Sequence, residues 1–373
     1  MRVVFVCDIV SSGSDGVGDY AFNLATELAK MGNDVSVICS QSKINVHALF
    51  SIVETKRGWD LTGFLAVIRE LGKVKPDYVI LHYVPGGYSR LAAPWKIILF
   101  YCSTLLQRYK VVTIFHETYI RLNWKKLKYV LLGAIQRIIF FAICRLSHLA
   151  VTSIDRYRKE IYRWNKNVTV IPIGSNINNE DTEISNRSAS VSSVANENFF
   201  LCTFGNRNHQ LLVRVFQHLQ KKISSISLLI IGKCDPAPYH KLIHDGKIHL
   251  TGFVDAHSVF QHLMASDLFV LLEYVSPSFE GGVSNKSTSL AAAFAAGLPI
   301  VSTRGDMTND LLLQEASVLW VDYNSAEAIA EAIAKLLVDK QQLENARKRN
   351  RIFYEKYLAW PVIANEYQTK VLL

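Results

Sequence analysis

Covalent staples and metal-ligand clusters are missing from this 373-residue sequence. Its six cysteines, Cys7, Cys39, Cys102, Cys144, Cys202 and Cys234, stand far apart without a C-x-x-C pair, most of them inside apolar runs. That spacing argues against zinc ribbons and disulfide frameworks and suits small buried hydrophobes in reducing surroundings. His240, His244, His249, His257 and His262 show no metal-ligand pattern, so no metal is expected. No Ser/His/Asp or Cys/His arrangement announces an enzyme nucleophile. Internal repeats and heptad tracts are absent as well. The oiliest stretch is cut by Arg137 and Arg145 into pieces of about eight residues, too short to span a bilayer. The opening MRVVFVCDIV is short and broken by Asp8, which makes it a first strand and not a leader.

Half of the chain is apolar, and its length exceeds what one core usually serves, so two domains are expected. The net charge of +9 is unevenly spread: residues 85–170 hold 15 Lys+Arg against 3 Asp+Glu. Because those cations are interleaved with aliphatic runs, nucleic acid is a poorer partner than an anionic membrane surface. There, each Lys or Arg near the headgroups contributes about 1 kcal/mol. The alternative is a buried helical hairpin whose cations reach solvent.

Short β-rich runs alternate with helix-length segments through both halves, the pattern of parallel α/β sheets. RVVFVCD, DVSVICS, DYVILHY, VVTIF, HLAVTS and VTVIPI supply one set of strands; FLCTF, SLLIIG, IHLTG, LFVLL, PIVST and VLWV supply another. Residues 175–198 hold 12 Ser+Asn with hardly an apolar cluster and read as a polar linker. The expected domains are 1–174 and 199–359, with a last helix over 360–373, opened by Trp360 and Pro361, packing back on the first.

In open parallel sheets ligands bind beyond the carboxyl ends of the strands. Two loops there stand out. SSGSDGVGDY follows the first strand and precedes a helix on which Tyr20, Leu24, Leu28 and Met31 share a face. Its glycines run G-x-x-G-x-G, not G-x-G-x-x-G, and no acid follows the second strand, which disfavours a dinucleotide. EGGVSNKSTS, residues 280–289, sets a glycine pair, a lysine and four hydroxyls before a small-residue helix that ends at Gly297 and Pro299. Amides at a helix start act as about half a positive charge, and an ammonium near a phosphate adds about 4 kcal/mol of attraction at intermediate dielectric. The expected guest is a pyrophosphate. Arg207 in FGNRNHQ follows another strand and can fork onto the same phosphates.

The order and spacing of DGVGDYAFNLATELAKMGNDV, LHYVPGGYSR, TIFHETY, VIPIGSNI, EGGVSNKSTSLAAAFAAGLPIVST and FYEKYLAWPVIANEY resemble the retaining glycosyltransferases of family 4. The resemblance spans nearly the whole chain. It implies an α/β GT-B fold, two Rossmann-like domains facing a central cleft, with a nucleotide-sugar donor held mainly by the second and an acceptor by the first. By it, His116, Glu280, Lys286 and Arg207 are expected at the chemistry. Gly16, Gly18, Gly205, Gly281, Gly282, Val283, Ser284, Thr288 and Ser289 are expected around the donor. Asp19, His82, Tyr83, Tyr88 and Glu117 are expected on the acceptor side. No cofactor or metal is implied, since backbone dipoles and basic side chains neutralise the leaving diphosphate.

One departure matters. Many members carry E-x7-E before the A-x-G-x-P turn, and counting back from Gly297 lands on Ser284 and Ala292. The sequence matches instead a G-V-S-x-basic subgroup, with Glu280 upstream; Glu273 ends a buried strand and reads as structural. The implied setting is surface-polysaccharide or glycoconjugate assembly in the cytoplasm, on the inner face of the membrane, with a saccharide or polyprenyl-linked acceptor. A nucleotide-sugar epimerase of the same fold and a non-catalytic membrane-associated subunit are the alternatives.

Overall fold

The structure is a computed structural model that describes the chain apart from Ser14, Asn45, residues 121–125 and 178–198, Asn206, Asn208, Leu373 and the side chain of Pro238. The expected polar linker lies, from residue 178 onward, outside the described residues. Two compact units result: Met1–Gly174 together with Trp360–Leu373, and Ser175–Ala359.

The first unit runs β1 (Arg2–Ser11), α1 (Gly16–Lys30), β2 (Asp34–Lys43), β3 (Ser51–Glu54), α2 (Leu61–Val74), β4 (Tyr78–Tyr83), α3 (Ile97–Leu106), β5 (Lys110–Phe115), α4 (Leu127–Leu146), β6 (Leu149–Thr152), α5 (Asp155–Tyr162) and β7 (Val168–Val170). Its seven strands pair in the order β3-β2-β1-β4-β5-β6-β7, every pair parallel. The second unit runs β8 (Phe199–Phe204), α6 (Gln210–Gln220), β9 (Ile226–Ile231), α7 (His240–His244), β10 (Ile248–Leu250), α8 (Ala256–Met264), β11 (Leu268–Leu271), α9 (Thr288–Ala295), β12 (Ile300–Thr303), α10 (Asp310–Glu315), β13 (Val318–Val321), α11 (Ala326–Val338) and α12 (Lys340–Phe353). Its six strands are again parallel, in the order β10-β9-β8-β11-β12-β13. Both sheets are the α/β architecture the alternating pattern predicts. The strand missing from the sequence reading is β3, a four-residue edge strand with no buried residue of its own.

Parallel strands are buried on both faces, and their two-residue period sorts side chains between two helical layers. Val3, Phe5, Cys7 and Ile80 face α1 and the last helix, α13 (Trp360–Lys370). Val4, Val6, Leu81 and Tyr83 face α2, α3 and α4. His82 therefore points to the α1 side and Tyr83 away from it.

α4 departs from expectation. It is one continuous helix of 20 residues with a mean hydropathy of 1.8, long and apolar enough by length and composition to cross a membrane, and 33% of it is buried within the protein. Arg137 does not interrupt it because its guanidinium turns back, donating to Gly133 O (2.9 Å) and Ile120 O (3.1 Å) and covering the Tyr119 ring at 4.2 Å.

α13 completes the first core. Trp360, Ile363, Ala364 and Tyr367 are buried against Tyr20, Leu24 and Leu28, and the hydroxyls of Tyr20 and Tyr367 meet at 2.9 Å. Gly174 lies so close to Trp360 that an added Cβ would stand 2.6 Å from the indole. Trp360→Ala should therefore cost the first domain about 3–5 kcal/mol, the usual loss for emptying a buried aromatic site. Gly174→Ala should lower its melting temperature by displacing the same ring; chemical denaturation of both variants checks this, and wild-type midpoints would refute it.

Candidate functional site

In the first domain, the loop after β1 is folded around one carboxylate. Asp19, in the first turn of α1, accepts from Ser11 Oγ and from Gly13 N (2.7 Å), while Asp15 caps the helix by accepting from Gly18 N at 2.7 Å. Asp19 is buried, so its expected place beside an acceptor is corrected: its charge holds the loop. Gly18 is also committed, since a Cβ there would meet Ile9 O at 2.9 Å. Gly16 is open: a Cβ added there would have no neighbour within 4 Å.

Beside this loop, His82 Nδ1 and His116 Nε2 lie 3.0 Å apart. The rings are 16° from coplanar with centroids 5.2 Å apart, so they meet edge to edge. Tyr20 closes on both edge-on, at 5.5 and 5.2 Å. His82 is buried, and its Nε2 has no hydrogen-bond partner. A buried N–H without an acceptor is rarer and costlier than an unused lone pair, which places the His82 proton on Nδ1, donated to His116. His116 then carries its own proton on Nδ1 when neutral.

A cavity of about 130 Å³ opens here, lined by Asp8, Asp15, Val17, His82, Gly87 and Tyr88 among others. Asp8, absent from the sequence-based expectations, accepts from Ser40 Oγ and Trp59 Nε1, both at 2.6 Å. One expected acceptor contact is corrected by burial: Tyr83 lies in the core on the far side of the sheet. Tyr88 lines the cavity, with its hydroxyl donated to His82 O at 2.6 Å. Glu117 is exposed.

In the second domain, a cavity of about 280 Å³ sits at the mouth of α9, lined by Arg207, Glu273, Gly282, Ser284, Lys286 and Thr288 among others. Ser287 caps α9, accepting from Leu290 N at 3.3 Å. Helix geometry leaves the Thr288 and Ser289 amides without an intrahelical acceptor. Arg207 donates through Nε to Phe204 O (3.2 Å), through Nη2 to Ser289 Oγ (2.9 Å) and through Nη1 to Glu273 Oε1. A guanidinium has five donors, so three are engaged in fixing its plane. Burial lowers Arg207 below its ordinary value, yet an arginine stays cationic at neutral pH. Gly205, at φ +110°, lets Ser289 and Arg207 approach: a Cβ there would stand 3.0 Å from Ser289 Oγ. His209, beside Arg207, is held below its ordinary value by burial and by that cation.

The glycine pair serves the backbone. Cβ atoms at Gly281 and Gly282 would stand 2.1 Å from Tyr274 O and 2.3 Å from Gly305 N, and both residues have positive φ. Their amides are bound to Asp306 Oδ1 (2.7 Å) and Tyr274 O (3.0 Å), and that of Val283 to Thr303 O (3.1 Å). These three amides are thus engaged within the protein, while Gly282 and Val283 still line the cavity. Glu280 lies in a turn closed by Ser276 N→Glu280 O (2.8 Å), and its own amide donates to Ser276 Oγ at 3.1 Å. The carboxylate in the cavity is Glu273, read from sequence as structural. Asn285, buried with Oδ1 unpartnered, also escaped that reading.

Residues 14–178 match Glycosyltransferase Family 4, and residues 197–339 match Glycosyl transferases group 1. No curated protein matches the chain by sequence. Among solved structures, WaaG, a glycosyltransferase involved in lipopolysaccharide biosynthesis, is 13% identical with a TM-score of 0.64, covering 98% of this chain and 99% of its own. HepE of Anabaena, in complex with UDP and glucose, is 13% identical with a TM-score of 0.64, covering 100% of this chain and 99% of its own. A putative UDP-N-acetylglucosamine 2-epimerase from Listeria monocytogenes is 12% identical with a TM-score of 0.59, covering 98% and 94%. The chain has the two-domain α/β GT-B fold.

The buried histidine makes a testable statement about acid. Burial, and then His116, hold His82 well below the ordinary value of 6.5. The unfolded chain protonates this ring near pH 6.5, so below that pH it binds more protons than the folded state, until the folded value is reached. Stability from this group is therefore complete above about pH 6.5 and falls on acidification by up to about 1.4 kcal/mol per pH unit. Urea melts at several pH values should show a shallower dependence for His82→Phe, and an identical slope would refute the assignment. Nitrogen NMR of the wild type should find neutral His116 protonated at Nδ1.

Proposed function

Because the chain belongs, through its Family 4 and group 1 domains, to the glycosyltransferases of GT-B fold, we propose that it moves a sugar from a nucleoside diphosphate donor to a saccharide or lipid-linked hydroxyl, with retention. The observation carrying this reading is the cavity at the mouth of α9, lined by the half-buried Arg207 guanidinium, by Lys286 and by the first residues of the helix. All are positive or donors, and a diphosphate is their complement.

In the reaction, the bond between the anomeric carbon and the diphosphate oxygen breaks with its electron pair leaving on the diphosphate. Arg207, Lys286 and the α9 amides stabilise that growing charge. The acceptor oxygen attacks from the same face and its proton passes to the departing phosphate. Glu273 keeps the Arg207 plane fixed so that its remaining N–H groups meet phosphate oxygens. In the first domain, the ordered His116 imidazole and the open backbone at Gly16 stand beside that domain's own cavity, which this reading gives to the acceptor. The reading requires no metal. HepE is solved with UDP and UDP-glucose, which makes uridine diphosphate sugars the first donors to assay. WaaG's part in lipopolysaccharide biosynthesis supports surface polysaccharide assembly at the cytoplasmic face of a membrane as the setting.

Lys286→Ala should lower turnover by at least about tenfold and Arg207→Ala by about a hundredfold, as for other donors aimed at developing oxyanion charge. Release of nucleoside diphosphate measures both, and EDTA should leave the wild-type rate intact. Unchanged turnover in both variants would remove the cavity from the chemistry. Conversion of the donor sugar without any acceptor would replace transfer by epimerisation.

A further inference from the structure

We infer that the outer face of α3 and α4 is a docking surface for an anionic lipid bilayer. On α4 the residues opposite the buried Gly133, Gln136, Phe140 and Ile143 are Leu127, Leu131, Ile135, Ile138 and Phe141, all exposed, Leu127 at 82%. Their spacing of three and four residues makes them one stripe along the helix. α3, which packs beside α4, exposes Leu99 and Leu106, the last at 87%, and Trp95 in the turn before it is exposed as well. A water-facing crossover helix carries polar residues at such positions, and a contiguous apolar face of this kind marks an interface.

Charge selects the occupant. Residues 78–154 contain ten Lys+Arg and a single acid, Glu117. Cations stand over exposed aromatics at the start of each helix: Lys96 over Trp95 at 5.8 Å and Lys126 over Tyr129 at 5.9 Å. An apolar body with an adjoining cation fits the boundary between acyl chains and anionic headgroups. A second copy of the chain fits badly, because two such faces would bring like charges together with almost no acid between them. Spanning is excluded in this fold, since the inner face of α4 forms the sheet's core through Ile139, Phe140 and Ile143. The surface is therefore one that lies on a membrane. On the transferase reading of the previous subsection, it brings lipid-borne acceptors to the domain that holds His116; the docking itself does not depend on that reading.

Sedimentation with vesicles tests it. The full chain should bind phosphatidylcholine vesicles containing phosphatidylglycerol at least about tenfold more tightly than phosphatidylcholine alone, and binding should weaken with salt. The Trp95 emission should shift to the blue on the mixed vesicles. Leu131→Glu with Ile138→Glu should reduce binding by about tenfold or more while leaving melting temperature and nucleoside diphosphate affinity unchanged. Lys126→Glu with Lys128→Glu, in exposed positions, gives the same test without touching the apolar stripe. Absence of binding to the mixed vesicles, or equal binding by wild type and both variants, would overturn the inference. So would a wild-type dimer in light scattering that the stripe variant abolishes, which would assign the face to a second copy.

Discussion

A parallel sheet cannot leave a face in water, and that single requirement organises both domains. Most strands are followed by a helical crossover that covers the sheet, so the turns leaving the carboxyl ends of the strands collect along one edge. In the first domain that edge carries the glycine loop, His82 and His116. In the second it carries Arg207, Glu273 and the start of α9. The helices imposed by the same requirement have inner faces dictated by the sheet and outer faces free to acquire another task, which is where α3 and α4 differ from their neighbours.

Close approach of backbone to backbone gives the candidate sites their shape. Gly18 brings α1 onto β1, Gly205 brings the end of β8 against Ser289, and Gly281 and Gly282 press one loop onto residues 304–305. These glycines work beneath the surface, and among the described residues the cavity at α9 is lined by a guanidinium, a carboxylate, an ammonium and the first residues of the helix. Phe204, Ser289 and Glu273 fix the Arg207 plane, which spares reorganisation in the donor binding proposed above.

Most of the architecture was legible in the sequence because Val/Ile-rich runs bounded by turn residues are strong local signals; β3, short and at the edge, carries no such signal. The two loops at the strand ends were legible for the same local reason. The roles inside them were not, because they depend on partners distant in sequence. Glu273 and Arg207 are brought together only by the pairing of β8 with β11. Asp19 looks like an exposed helix-start acid until Ser11 and Gly13 close over it. Tyr83 lies one residue from His82 and is sent to the opposite layer by the strand period, a sorting that a run with every residue buried does not display.

The return of α13 to the first core also sets an order on synthesis. Trp360 and Tyr367 seal a cluster built from the first 174 residues, but they leave the ribosome only after all of Ser175–Ala359 has been made. At roughly 5–20 residues per second, the slot formed by Tyr20, Leu24 and Leu28 waits uncovered for roughly ten to forty seconds. Nascent chains of this protein thus pass through a long interval in which one half is finished before the other has received its last piece, and chaperones able to shield an oily groove have that interval in which to act.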